Sequence, residues 1–281
     1  MIGNLKSFFK FLRIRDATGY FLIAALGFIL AKGFLFPAKD IFLFWLISFL
    51  LLGFGFSINN CFDQKEDKLD KTKKNPIVLK EISFKKGFIF SISIAIIGLY
   101  LSSLFGLKIF LFCLISTLIV FFYSSPPLRM KSRPLFDLLS HGLFAGPLIF
   151  LFPLLVFKVK LTLFHWLISL SLFYFSVILE LRNFLEEYET DKRAGVKNTV
   201  CILGYEKSEK LLRYLAIFYP LTIFPIFLLF LPQYLYLFFI FSSVLILSFF
   251  FLKNSWLVKN YRIIDIYVFF SFSFLAILTT F

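Results

Sequence analysis

The chain is short of most of what a soluble catalytic domain is built from. Only 16% of its 281 residues are charged, where a soluble domain has about a quarter. Its three cysteines, Cys61, Cys113 and Cys201, lie far apart with no Cys-x-x-Cys spacing. That excludes a zinc ribbon and a disulfide framework. Two histidines, His141 and His165, cannot make a histidine-rich metal centre. Acidic residues are the scarcer sign of charge, 16 against 30 Lys+Arg, for a net +14. What is abundant is apolar: 60% hydrophobic and 21% aromatic, with a mean hydropathy of +0.89. A soluble enzyme, a disordered tail and a coiled coil are excluded on these figures. Nucleic acid is not an expected partner, because no soluble folded domain remains to carry it.

The apolar residues lie in runs long enough to cross a bilayer, about 20 residues each as helices. Nine can be read, at 20–37, 41–62, 87–106, 108–125, 138–157, 162–181, 211–231, 233–252 and 264–281. Barrel strands need only about 10 alternating residues, so the runs predict helices. The first follows Lys6, Lys10, Arg13 and Arg15 and has no small-residue cleavage site; it reads as a retained span. The expected fold is an all-α polytopic membrane protein, a single domain over 1–281.

Basic residues orient it. With the N-terminus inside, the internal segments hold 25 of the 30 Lys+Arg. The external connections keep Lys32, Lys39, Lys108, Lys158 and Lys160. The positive-inside bias then puts the N-terminus in the cytoplasm and the C-terminus outside. Basic loops also meet anionic membrane lipids, but two of these loops hold most of the acids as well. Topology signals alone do not need that.

The second run ends Asn59-Asn60-Cys61-Phe62-Asp63, followed by Asp67 and Asp70. The sixth ends with Glu180, Asn183, Glu187 and Asp191. Residues four apart share a helical face. Both stretches read Asn-x-x-x-acid-x-x-x-Asp, offset by 124 residues. Each is followed by basic residues, Lys71, Lys73 and Lys74 or Lys192, Arg193 and Lys197, and then by Asn75 or Asn198. The match is read as the trace of an internal duplication.

Taken singly, either stripe reads as a solvated helix end with its acids paired at i+4, such as Asp67 with Lys71. Two matched stripes on one membrane side favour a shared site. Stacked carboxylates repel and are costly near a membrane, and a divalent cation removes that cost. Mg²⁺ takes a few carboxylates together with water and phosphate oxygens, so facing stripes suit a metal-bound diphosphate. Nearby Lys and Arg would take its remaining charge.

These stretches resemble the two Asp-rich motifs of the UbiA superfamily of intramembrane prenyltransferases. Tyr123-Ser124-Ser125-Pro126-Pro127-Leu128-Arg129-Met130-Lys131 is similar to a third stretch common in that family, and Arg15 to its basic residue before the first helix. The resemblance implies nine transmembrane helices in one bundle around a central cavity with a cytoplasmic cap. It implies Mg²⁺-dependent transfer of a prenyl group from a prenyl diphosphate to a hydrophobic acceptor: a quinone precursor, lipid, carotenoid or tetrapyrrole. By position, Asn59, Asp63, Asp67, Glu187 and Asp191 would hold the metal. Asp63, Asp67, Asp191 and Tyr123 would be catalytic, with Tyr123 near the reacting carbon. Arg15, Arg129, Lys131 and Lys197 would bind diphosphate. Asn60 and Glu187 stand where the family often has Asp. The Tyr-Ser-x-Pro-Pro form and the Asp137 region look closer to the carotenoid or lipid branch than to hydroxybenzoate enzymes. With no organellar leader in view, a prokaryotic inner membrane is expected.

Other residues carry less. Asp137 and His141, one turn apart, read as a local pair. Asp265 has Lys259 and Arg262 nearby, and Pro147 and Pro153 predict a kink. A transporter or lipid scramblase with a pseudo-repeat is the rival reading. It accounts poorly for acids gathered at one rim, since a pathway needs polar groups at the midplane too.

Overall fold

The computed structural model describes residues 2–70, 72–251 and 262–280, and every regular element among them is helical. The chain begins with α1 (Ile2–Phe11), α2 (Thr18–Leu30), α3 (Ala38–Phe62) and the short α4 (Gln64–Leu69). Then come α5 (Phe84–Ser103), α6 (Leu107–Ser124), α7 (Phe136–Leu143) and α8 (Ile149–Val156). The long α9 (Leu163–Glu186) is followed by the short α10 (Tyr188–Ala194) and α11 (Thr199–Leu203). The last are α12 (Tyr205–Phe218), α13 (Pro220–Phe230), α14 (Leu235–Phe251) and α15 (Arg262–Thr280).

Six of these helical stretches are long and apolar enough to cross a membrane: 38–62, 84–103, 107–124, 136–156, 163–186 and 205–230. The runs expected at 20–37, 233–252 and 264–281 correspond to shorter apolar helices, Thr18–Leu30, Pro232–Ser248 and Ile263–Thr279. The first stops early because Lys32 takes a left-handed φ of 52° and Pro37 precedes α3, both incompatible with a continued helix. The outer surface is itself apolar. Leu35, Phe42, Tyr100 and Leu107 are each 67–72% exposed, and a surface that apolar suits lipid rather than water. The chain is an integral membrane protein.

Packing runs around a ring. α3 lies against α5 and α6, α2 against α8, and α9 against α7, α12 and α13. α15 contacts both α14 and α2, which closes the ring. Phe44, Ile47, Phe150, Leu154, Ile168 and Tyr219 form part of one continuous buried core. The expected kink takes the form of a π-helical segment, Phe144–Leu148, between α7 and α8, with Pro147 inside it. Proline supplies no N–H to the helical ladder, and a π-segment accommodates the gap. Gly146 in this segment touches the α9 backbone: a Cβ there would stand 2.5 Å from the Leu172 carbonyl oxygen. That close approach sets α7 beside α9.

Candidate functional site

The two acidic motifs fold alike, and neither is one unbroken helical stripe. α3 stops at Phe62 and α4 starts at Gln64; Asp63 stands at the join with φ −95° and ψ 14°. α9 stops at Glu186 and α10 starts at Tyr188; Glu187 stands at the join with φ −96° and ψ 2°. Each joint residue sits between α and bridge geometry, so the chain bends at the middle acid of both motifs. The i→i−4 hydrogen bonds survive the bend: Asp63 and Asp67 N–H donate to the Asn59 and Asp63 carbonyls at 3.0 and 2.8 Å, and Glu187 and Asp191 N–H to those of Asn183 and Glu187 at 3.0 and 2.9 Å. The matched breaks, 124 residues apart, repeat the sequence match in three dimensions. Asp70 leaves the stripe and instead accepts from Thr72 N–H and Oγ1 at 2.8 and 2.7 Å.

Each second aspartate is held by the asparagine that follows it. Asn75 Nδ2 donates to Asp67 at 2.8 Å, and Asn198 Nδ2 donates to Asp191 at 2.7 Å. Asn198 also caps α11 by accepting from Cys201 N–H at 2.8 Å. Gly195, with φ 77°, supplies the left-handed turn that ends α10 and brings Asn198 back. Asn60 serves structure: it is 2% exposed, donates to the Phe11 carbonyl at 2.9 Å and accepts at its own carbonyl from Asn75 at 2.8 Å.

The short helices α4 and α10 pack against one another, and two lysines tie them. Lys65 Nζ donates to the Ala194 carbonyl at 2.5 Å. Lys73 Nζ is 2.5 Å from Glu187 and 3.7 Å from Asp67, so one ammonium bridges both motifs. The Pro-rich loop, whose Pro126–Pro127 peptide is cis, adds Arg129 and Lys131. Lys131 pairs with Asp63. Arg129 lies 2.6 Å from Glu66 and 3.7 Å from Asp63.

These groups stand at one end of a cavity of about 270 Å³. Asn59, Asp63, Lys73, Lys131 and Glu187 line that end; Tyr20, Tyr123, His141, Glu180 and Asn183 line the middle; Leu51, Phe112, Ile149 and Phe152 line the rest. Along α3 the wall descends through Asp63, Asn59, Phe56, Leu52 and Ser48, one face of a helix and about 22 Å at 1.5 Å per residue. The cavity is therefore charged at its mouth and apolar in its depth.

Of the residues singled out by sequence, Asn59, Asp63, Tyr123, Lys131 and Glu187 line the cavity. Asp67 and Asp191 are buried beside the mouth, each 5% exposed. Arg129 is half-buried. Arg15 and Lys197 are exposed and outside the lining. Arg13, two residues before Arg15, is the nearer of the two to the cavity. It lines the cavity, stands over the Phe56 ring at 5.3 Å and donates to Asp16 at 2.5 Å. Its φ of 48° turns the chain after α1, a local reversal that no sequence period reports. Glu66 and Lys73 were not singled out as ligands; an acid inside the motif and a lysine just past it were the available signals. The pairs expected for Asp67 with Lys71, and for Asp265 with Lys259 and Arg262, fall on residues outside the described side chains. Among the described residues, Arg182 donates to both Asp265 carboxylate oxygens at 3.0 Å. Asp137 and His141 do not form a local pair. Asp137 accepts from Thr199 N–H at 2.5 Å and Oγ1 at 2.6 Å, while His141 Nε2 lies 3.3 Å from Glu180.

Electrostatics at the mouth favour a cation. Burial foremost, then the Glu187 carboxylate, push Asp191 up to about 7. Burial also raises Asp67, against the pull of Lys73 and Asn75. Burial works against the charge of Lys73, but Glu187 and Asp67 outweigh it and raise its pKa. No three carboxylate, histidine or cysteine groups among the described residues converge as a preformed metal cage. Mg²⁺ does not require one, since phosphate and water fill its remaining positions. The Lys73 ammonium standing between Glu187 and Asp67 marks where a cation fits, so the donor set suits Mg²⁺ carried on a phosphate.

Comparison with known proteins gives a consistent result. The model of the UbiA prenyltransferase family matches residues 20–278. Among curated relatives, digeranylgeranylglyceryl phosphate synthase of Saccharolobus solfataricus is 29% identical over 76% of this chain and 74% of its own length. The synthase of the same name from Methanococcus maripaludis is 26% identical over 93% and 88%. Among solved structures, one of a digeranylgeranylglyceryl phosphate synthase in membranes has a TM-score of 0.75 at 21% identity, over 98% of this chain and 99% of that one. A UbiA homolog from Archaeoglobus fulgidus bound to GPP and Mg²⁺ has a TM-score of 0.68 at 21% identity, over 96% and 99%. With the family matched over nearly its whole length, the chain belongs to the UbiA prenyltransferases.

Proposed function

We propose that the chain transfers a prenyl group from a prenyl diphosphate to the hydroxyl of a glyceryl-lipid acceptor within the membrane, with Mg²⁺, releasing diphosphate. The observation that carries this is the joining of both acidic motifs through Lys73 at the mouth of a cavity whose depth is apolar. A prenyl diphosphate has the same polarity along its length. Family membership favours transfer over transport or scrambling. The name shared by the curated relatives supports the glyceryl-lipid acceptor over an aromatic ring, a carotenoid or a tetrapyrrole.

In this reading Asp63, Asp67, Glu187 and Asp191, with Asn59, hold the metal, and Mg²⁺ supplies positive charge for the departing diphosphate. Lys131, Arg129 and Lys73 exchange their carboxylate partners for phosphate oxygens. Arg13 lies close enough to join them. The tail lies along α3 and α6 against Leu51, Leu52, Phe112 and Phe152. Tyr123 presents its ring to the developing allylic cation, an interaction of about 0.5–2 kcal/mol. The apolar walls keep water from that cation. α4 and α10 form a cytoplasmic cap on a single domain of nine crossings, with the N-terminus inside and the C-terminus out, in a prokaryotic plasma membrane. The charge asymmetry of the loops supports that orientation.

The test is a detergent-solubilised assay with prenyl diphosphates of several lengths, geranylgeranylglyceryl phosphate and a membrane lipid extract, with products identified by mass. The expected result is a Mg²⁺-dependent ether-linked diprenyl glyceryl product. Transfer confined to aromatic or tetrapyrrole acceptors would overturn the acceptor class.

A further inference from the structure

Glu180 is a carboxylate in the middle of the cavity wall, away from the diphosphate mouth. It lies seven residues before Glu187, which closes the end of α9, and two helical turns at 1.5 Å per residue put it about 10 Å further in. It is 7% exposed yet lines the cavity. An ionisable group at such depth in a membrane protein is expensive, and it marks function more often than packing. The metal-binding motifs do not use it.

Its partners come from three helices, α6, α7 and α9 itself, and Tyr20 of α2 joins them through His141. Glu180 Oε1 accepts from the Tyr123 hydroxyl. Oε2 accepts from Asn183 Nδ2 at 3.1 Å and faces His141 Nε2 at 3.3 Å. The Tyr20 hydroxyl also reaches His141 Nε2, at 3.4 Å. The other ring nitrogen, His141 Nδ1, lies 3.1 Å from the Ser176 carbonyl oxygen. A carbonyl only accepts, so Nδ1 carries a proton and Nε2 is the ring nitrogen turned toward Glu180. A carboxylate oxygen and an imidazole nitrogen thus face each other across 3.3 Å. At that separation the two can share one proton.

The reaction proposed above releases one proton, from the acceptor hydroxyl. We infer that Glu180, backed by His141, is the general base that takes this proton. The inference rests on the hydroxyl-acceptor reading. As the acceptor oxygen bonds to C1 of the prenyl group, the bond from C1 to the diphosphate oxygen breaks. Diphosphate leaves with the electron pair. The hydroxyl proton passes to Glu180 Oε2, where His141 Nε2 accepts it in a hydrogen bond. Tyr123 links the two events: its ring faces the reacting carbon and its hydroxyl holds the base. The position also explains the depth of Glu180. The base belongs below the diphosphate by the length of the leaving group and one ester linkage, where the acceptor oxygen arrives.

The test uses full-length Glu180→Gln with geranylgeranyl diphosphate and two acceptors, geranylgeranylglyceryl phosphate and its thiol analogue. Binding is read separately, as thermal stabilisation by a non-hydrolysable prenyl diphosphate analogue with Mg²⁺. A thiol ionises near pH 8.5 and needs little help from a base. Losing a general base should lower kcat with the alcohol by at least ~100-fold. The thiol analogue should lose less than about tenfold on the same reasoning, and the analogue-induced stabilisation should be unchanged. Alcohol transfer within about threefold of wild type, far inside the range of general-base effects, would overturn the inference. So would equal losses with both acceptors. If Glu180→Gln does not fold, Glu180→Asp, which withdraws the carboxylate by one methylene, is read by the same criteria. Wild-type protein that binds the donor analogue but transfers to neither acceptor would overturn the acceptor reading itself, and the base with it. Wild-type transfer that persists in the variant overturns the base alone.

Discussion

At the end of α3 the carboxylates meet three fixed cations, whereas at the end of α9 they meet only one, which they share with the first motif. Asp63 is paired with Lys131 and lies 3.7 Å from Arg129, and Glu66 holds Arg129 at 2.6 Å. Asp67 has Lys73 at 3.7 Å. In the second motif Glu187 shares that same lysine at 2.5 Å. Asp191 has Asn198 and no ion pair within 4.0 Å among the described residues. The backbone plan is common to both, down to the bend at Asp63 and Glu187, so the difference lies in the loops that cover them. The Pro-rich loop reaches the first motif with Arg129 and Lys131. The first motif is therefore neutralised by the protein itself, and the demand for an added cation concentrates at the second.

That contrast can be broken most severely at the acids. Asp191→Asn and Asp63→Asn should each lower Mg²⁺-dependent diphosphate release by about 10²–10³, the usual cost of removing one preorganised electrostatic contact. Both should remain folded in the membrane, but their stabilities should differ. Asp63→Asn leaves the buried Lys131 without its partner, and breaking a buried pair costs about 3–5 kcal/mol; Asp191→Asn strands no cation. Chemical denaturation in detergent reads the difference.

A smaller effect separates the two asparagine clamps. Asn75 makes three buried hydrogen bonds, to Asp67, the Asn60 carbonyl and Ile77 N–H. Asn198 makes two, to Asp191 and Cys201 N–H. At about 1 kcal/mol each, Asn75→Ala should cost about 3 kcal/mol and Asn198→Ala about 2 kcal/mol. Equal costs would mean that the clamps are equivalent despite their different loops. Lys73→Ala removes the bridge between motifs and one phosphate partner. Its KM for the donor should rise about tenfold, or 1.4 kcal/mol, with kcat changed less. At the weak end, Arg13→Ala should raise the donor KM about threefold, in line with an exposed cation–π and charge contribution near 0.5–1 kcal/mol. Arg15→Ala and Lys197→Ala, both at exposed positions, should leave it unchanged.

Much of this was legible in the residues. The acidic motifs, the Tyr-Ser-x-Pro-Pro loop and most of the apolar runs are local patterns, and local patterns carry helix period and spacing. The bends at Asp63 and Glu187 were hidden because a stripe of acids four apart looks the same on a straight helix and on a broken one. Arg13 and Arg15 are alike on charge alone, and only the turn at φ 48° sets which of them faces the cavity. The partners of Asp137 and His141 were missed for another reason. Asp137 meets Thr199, 62 residues on, and His141 meets Tyr20, 121 residues back. Contacts at that separation follow from helix packing and leave no trace in periodicity.

One metal–diphosphate site, shared by both acidic motifs at the mouth of the apolar cavity, is the arrangement we propose. It can be read from the thermal stability of the purified protein with a non-hydrolysable prenyl diphosphate analogue, with and without Mg²⁺, in wild type and in Asp191→Asn. Stabilisation is expected only when analogue and Mg²⁺ are both present, and it should vanish in Asp191→Asn even though the first motif is intact. Equal stabilisation in the presence of a chelator, or full stabilisation of Asp191→Asn, would contradict a site shared between the two motifs.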